Sequence, residues 1–161
     1  MNIKSMTKLA ILIVLTVGMT MVIHIPIIGG NGYVNFGDMV IFLAAMILGK
    51  KGGFIVGGLG SALADILLSY THYAPITFIV KGIEGYIAGT LLEKNIGKKS
   101  PILAMVISGI WMAFGYYLAE IFMYGGKAAL ASVPANLVQG LTGAVTSVLL
   151  FMSLKRTKIV E

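Results

Sequence analysis

Asp65, Lys81, Glu84 and Glu120 are ionisable residues set inside stretches of sequence otherwise apolar enough to cross a bilayer. A charge at the membrane centre costs roughly 2.5 to 3.5 kcal/mol on insertion scales, so these side chains must face protein or a water-filled cavity. Thr77, Lys81 and Glu84 recur at i, i+4, i+7, and Ala113, Tyr117, Glu120 and Tyr124 at i, i+4, i+7, i+11, while Asn136 and Gln139 are three apart. Each set therefore occupies one helix face. Converging carboxylates, amides and one ammonium suit hydrogen bonding to a small polar ring. The same groups have duller uses: Lys81 and Glu84 can neutralise each other, and Asn136 and Gln139 can join helices. They can also serve a small membrane enzyme, with Glu84 and Glu120 as acid and base and Lys81 as electrostatic stabiliser.

Those faces need helices that reach across a membrane. With 58% hydrophobic and 11% charged residues in 161, and a mean hydropathy of +0.95, the chain has too little polar surface for a water-soluble domain. Six apolar segments, 7–28, 38–48, 53–70, 75–92, 101–124 and 134–154, approach the roughly 20 residues that span about 30 Å of hydrocarbon. The second is short. The expected fold is an all-α membrane protein, a six-transmembrane-helix bundle forming one domain over residues 1–161. The first segment has signal-peptide-like flanks, but no small-x-small cleavage site ends it and five spans follow, so it reads as the first helix.

The basic residues orient the bundle. Lys4 and Lys8 precede the first span, Lys50 and Lys51 separate the second and third, Lys94, Lys98 and Lys99 the fourth and fifth, and Lys155, Arg156 and Lys158 follow the sixth. The opposite connections hold only Lys127. The positive-inside rule then puts both termini in the cytoplasm and makes the excess of twelve basic over six acidic residues a topology signal, not a nucleic-acid patch. At about 1.5 Å per residue, Asp65, Lys81, Glu84, Glu120, Asn136 and Gln139 all fall in the outer half of the membrane, with Asn136 and Gln139 in the first two turns of their span. The inner halves are apolar, so the pattern describes an outward-facing pocket closed at its base rather than a channel.

The connections add lesser signals. Tyr33, Asn35 and Phe36 follow a glycine-rich run, Gly29-Gly-Asn-Gly32, and can fold over a ligand. Asp38 is placed to cap the second span. Gly53, Gly57, Ser61 and Asp65 form a stripe at which helices approach closely, so Asp65 is either a structural hydrogen-bonding group or a ligand contact. His72 reads as an interfacial anchor, and the methionines as packing. The chain has no cysteine, no Walker A loop, no G-x-S-x-G, and two histidines, His24 and His72, outside any H-E-x-x-H arrangement. No metal site, catalytic motif or cofactor is implied.

Three motifs in order carry a resemblance: Tyr33-Val-Asn-Phe-Gly-Asp38, Gly57-Gly-Leu-Gly-Ser-Ala-Leu-Ala-Asp65, and Tyr73-Ala-Pro-Ile-Thr-Phe-Ile-Val-Lys-Gly82 followed by Glu84-Gly85. Together they resemble the substrate-binding S-components of energy-coupling factor (ECF) vitamin transporters, in the branch associated with hydroxymethylpyrimidine, vitamin B6 and riboflavin uptake. The resemblance implies a multi-pass protein of a bacterial-type cytoplasmic membrane that captures a vitamin at the outer face. It further implies docking through helices 1 to 3 on an ECF transmembrane scaffold subunit carrying two ABC ATPases, which reorient the bundle in the membrane. The implied substrate contacts are Tyr33, Asn35, Asp65, Tyr73, Thr77, Lys81, Glu84, Tyr117, Glu120, Asn136 and Gln139. S-components often carry an Ala-x-x-x-Ala scaffold contact on the first helix; here the stretch is Ala10-Ile-Leu-Ile-Val14, with Gly18 next on the stripe and the glycine-rich third span a second candidate. With no Arg in the outer halves, the pocket suits pyridoxine or hydroxymethylpyrimidine, stacked on Tyr or Trp111, over a phosphorylated vitamin.

Overall fold

The computed structural model describes residues 3–27 and 32–157. Ile28, Gly29, Gly30, Asn31 and Lys158 lie outside the described residues. The architecture is helical: α1 (Ile3–Val22), α2 (Gly37–Ile55), a π-helical turn (Val56–Gly60), α3 (Ser61–Leu67), α4 (Ala74–Glu93), a short α5 (Asn95–Lys99), α6 (Pro101–Tyr124) and α7 (Gly126–Arg156), with two short strands, β1 (His24–Pro26) and β2 (Tyr33–Asn35), between α1 and α2. Among the described residues four helical stretches are long and apolar enough to cross a membrane: α1, the run Gly37–Leu67, α6 and α7.

Local chemistry sets the boundaries. At the start of α6 the Ser100 hydroxyl accepts from Leu103 N at 3.3 Å with Pro101 in the first turn, and at its end Gly125 takes φ 84°, where a Cβ is strained. The expected span 101–124 is reproduced for that reason. The first span, expected to reach Ile28, stops at Val22. Pro26 has no N–H to give a helix and biases Ile25 towards extended backbone, so His24–Pro26 pairs antiparallel with Tyr33–Asn35, His24 opposite Asn35.

The second and third spans were expected to be separated by a connection at 49–52. Helical backbone instead runs through it, except at Gly49, whose φ 70° and ψ −169° break the path. Ile41 packs against Gly57 and Ala45 against Gly53, and those pairs are symmetric about Gly49. The chain thus doubles back at one residue. The last span begins eight residues before the expected Pro134, because Ala128, Ala129, Leu130 and Ala131 are strong helix formers and the helix carries Pro134 in its interior. Asn136 and Gln139 accordingly lie beyond its second turn.

Asp38 does not cap α2. Phe36 occupies the cap position without a side-chain bond, and Asn35 Oδ1 instead accepts from Gly37 N at 2.8 Å, which frees Asp38 to turn inward. The glycine stripe packs inside the bundle: a Cβ at Gly53 would strike the backbone of Gly85, and one at Gly57 the backbone of Lys81. Gly53 and Gly57 are therefore committed to α4 and do not offer an outer contact face. Beyond Asp38 along α2 the packing is apolar, with Val40, Leu43 and Ala44 against Leu12 and Val56, and Phe42 and Ala45 against Ala88, Met105 and Ala144.

Candidate functional site

A polar cavity opens where the hairpin β1–β2 meets the ends of α3, α4, α6 and α7. The space between its lining residues amounts to about 440 Å³, part of it open to solvent at the mouth.

The inner end is built around Lys81. About two turns into α4, its buried ammonium needs partners; it is paired with Asp38 and with Glu84, the latter at 3.1 Å. Asp38 is 0% exposed, Lys81 2% and Glu84 0%. Gln139 Nε2 donates to Asp38 Oδ2 at 3.0 Å, and Gln139 Oε1 accepts from Asn35 N at 2.8 Å. One buried network thereby ties the hairpin to α7, α2 and α4. Asn35 Oδ1 also accepts from the Thr20 hydroxyl at 3.4 Å, and Lys81 Nζ stands 5.9 Å from the centre of the Tyr116 ring, within reach of a cation–π contact.

Nearer the mouth two carboxylates each hold a tyrosine. Tyr33 donates to Asp65 Oδ1 at 2.5 Å, and Tyr73 to Glu120 Oε1 at 3.1 Å. Both phenols are pushed above the ordinary tyrosine range, by burial first and then by the facing carboxylate, so both remain donors at neutral pH. Tyr116 donates to Thr77 Oγ1 at 3.1 Å. Aromatic edges finish the rim: Tyr33 lies 4.9 Å from His24 and 5.0 Å from Tyr70, and His72 lies 4.9 Å from Tyr73. The His72 ring also reaches the Tyr124 hydroxyl at 3.0 Å.

Of the residues singled out from the sequence, Tyr33, Asn35, Asp65 and Tyr73 line this cavity together with Thr77, Lys81, Glu120, Asn136 and Gln139. Glu84 and Tyr117 do not. Glu84 stands behind Lys81 as its counter-charge. Tyr117 is replaced by its neighbour Tyr116, because at 100° per residue Tyr116 is turned about 40° from Glu120 and Tyr117 about 60°. Trp111, proposed for stacking, is nine residues from Glu120 and hence on the opposite helix face; its ring sits 6.4 Å from Phe114. Sequence reasoning missed Asp38 as a buried ion, and missed Thr20, Ser61 and Tyr116 as lining. Thr16 and Thr20, both buried on α1 and four apart, were the available signal for that helix.

Among the described residues no group of three or more metal-ligating side chains comes together. Over 126 residues the chain is 37% identical to an uncharacterized protein of Pyrococcus woesei, covering 78% of this chain and 84% of that one. It is 31% identical over 161 residues to the thiamine precursor transporter HmpT of Lactococcus lactis subsp. cremoris, covering 99% of this chain and 93% of the relative. The pattern of the ECF-type riboflavin transporter S-component family matches residues 1–156. The chain belongs to that family of ECF-type riboflavin transporter S components, and is a multi-pass protein of the cell membrane and a transporter component rather than an enzyme.

Proposed function

We propose that the chain, as a single unit over residues 1–161, is the substrate-capturing subunit of an ECF-type importer for a small vitamin or vitamin precursor, pyridoxine or hydroxymethylpyrimidine. The observation that carries this is the cavity itself: polar, opening at one end of an apolar bundle, and closed below by the packing of Val40–Ala45 against α1, α4, α6 and α7. A pocket of that shape captures but does not conduct. The reversal at Gly49 supports six spans, and the lysine distribution supports cytoplasmic ends. The name of the HmpT relative supports a thiamine precursor as cargo. The riboflavin reading is favoured by the description of the matching family, and the same binding measurements separate the two.

The chain contains no nucleotide-binding loop, so energy comes from a transmembrane scaffold subunit and two ABC ATPases. Ala10, Val14 and Gly18 are the proposed scaffold contact. In support, Ala10 is exposed, Val14 is 69% exposed, and a side chain added at Gly18 would meet no atom within 4 Å. Reconstitution tests the reading. In liposomes the chain alone should bind vitamin without accumulating it, and addition of the scaffold and ATPases should confer ATP-driven uptake. Val14→Trp should abolish that uptake while leaving binding intact. Robust ATP-dependent uptake by the isolated chain would overturn the proposal.

A further inference from the structure

A carboxylate only accepts hydrogen bonds, and one buried without enough donors is costly to keep. Asp65 is 3% exposed and Glu120 2%. Each gives one oxygen to a tyrosine of the mouth, Asp65 Oδ1 to Tyr33 and Glu120 Oε1 to Tyr73. The hydroxyls of Thr77 and Ser132 stand beside these carboxylates. Even so, Asp65 Oδ2 and Glu120 Oε2 have no hydrogen-bond partner among the described residues. Both residues line the same cavity, from helices α3 and α6, with α4 packed between them. Lys81 is the cation in that lining, and its ammonium is already taken by Asp38 and Glu84.

We infer that Asp65 and Glu120 select the substrate by its donors: the ligand is a flat nitrogen heterocycle presenting N–H or O–H groups on two separate edges, an exocyclic amine suiting one of them. This rests on the importer reading and refines it. A ring with carbonyl oxygens at both edges sets acceptor against acceptor and leaves four buried lone-pair sites unsatisfied, and an anionic ring meets like charge on both sides. Because each carboxylate also holds a tyrosine of the mouth, a bound donor and the mouth share one anchor on either side. The substrate that satisfies both free oxygens is thereby the one that fixes Tyr33 and Tyr73 over itself.

Calorimetry on the full chain in detergent tests this with four probes: 4-amino-5-hydroxymethyl-2-methylpyrimidine, its 4-oxo counterpart, pyridoxine and riboflavin. The aminopyrimidine should bind roughly 100-fold tighter than the 4-oxo ring, since a site built to hydrogen-bond a donor rejects the analogue lacking it. Asp65→Asn or Glu120→Gln should shrink that ratio about tenfold, because an amide can turn a donor towards the carbonyl. Affinities for the two pyrimidines within a factor of about 3 on the unaltered chain would overturn the inference, whatever the variants do. Binding of riboflavin alone would overturn it while leaving the importer reading in place, and a folded, monodisperse chain that binds none of the four would overturn the importer reading itself.

Discussion

At the inner end of the cavity Lys81 stands between Asp38 and Glu84, and Gln139 takes the second oxygen of Asp38; nearer the mouth Asp65 and Glu120 each hold one tyrosine and keep one oxygen without a partner. The two regions are made of the same residue types at similar burial. What differs is the counter-charge. The inner carboxylates, Asp38 from α2 and Glu84 from the same helix as Lys81, face its ammonium, so removal of that ammonium strands charge inside the protein even though the oxygens of Glu84 make no hydrogen bond among the described residues. The outer carboxylates face neutral hydroxyls, so on the proposed reading their removal should cost the fold less and the ligand more. On the proposed reading, the buried ionisable residues of this bundle divide by partnership into those that hold the helices and those that receive a substrate.

The sharpest way to break this comparison is Lys81→Met. With Asp38 and Glu84 left buried and unpaired, stability should fall by about 3 to 5 kcal/mol, read as a lowered Tm in detergent. Adding Asp38→Asn and Glu84→Gln to that variant should restore much of the loss, by the non-additivity expected of residues in one network. A single variant as stable as the unaltered chain would show that the inner charges do not hold the fold together. Glu120→Gln should do the reverse, weakening vitamin binding by about 1 to 3 kcal/mol in calorimetry with a Tm near that of the parent. Tyr33→Phe removes the donor to Asp65 without removing the ring, and its expected loss of affinity is about 1 kcal/mol, seen as faster release in stopped-flow fluorescence. Smallest of all is Trp111→Phe. On a face turned away from Glu120 it should leave affinity within about 0.5 kcal/mol, and a larger loss would return Trp111 to the binding site.

How far the sequence revealed this division depends on the residue. Periodicity assigns a face within one helix, which is why Thr77 and Lys81, Glu120, and Asn136 and Gln139 converge as expected. It is nearly silent on partners in other helices. Asp38 illustrates the limit: an acidic residue at the head of an apolar span reads as a cap, and only the position of Lys81 on α4, opposite it in three dimensions, makes it an ion pair. Tyr116 and Tyr117 show a second limit, since neighbours on a helix lie 100° apart and both fall within 60° of Glu120. Boundaries were legible where a local device fixes them, as with Ser100, Pro101 and Gly125 around α6. They were lost where a proline has two readings: Pro134 sits within a helix it was expected to begin, and Pro26 sits in a strand that was expected to be helix.

The reversal at Gly49 bears on how the protein is made. Two apolar arms joined through a single non-helical residue leave almost no connecting loop to thread, which on the proposed six-span reading favours insertion of 37–48 and 50–67 together as one hairpin with Lys50 and Lys51 at its bend. A Cβ at that bend, where φ is 70°, would act during biogenesis: Gly49→Val should lower the yield of correctly inserted chain, while the molecules that do mature carry an unaltered binding site.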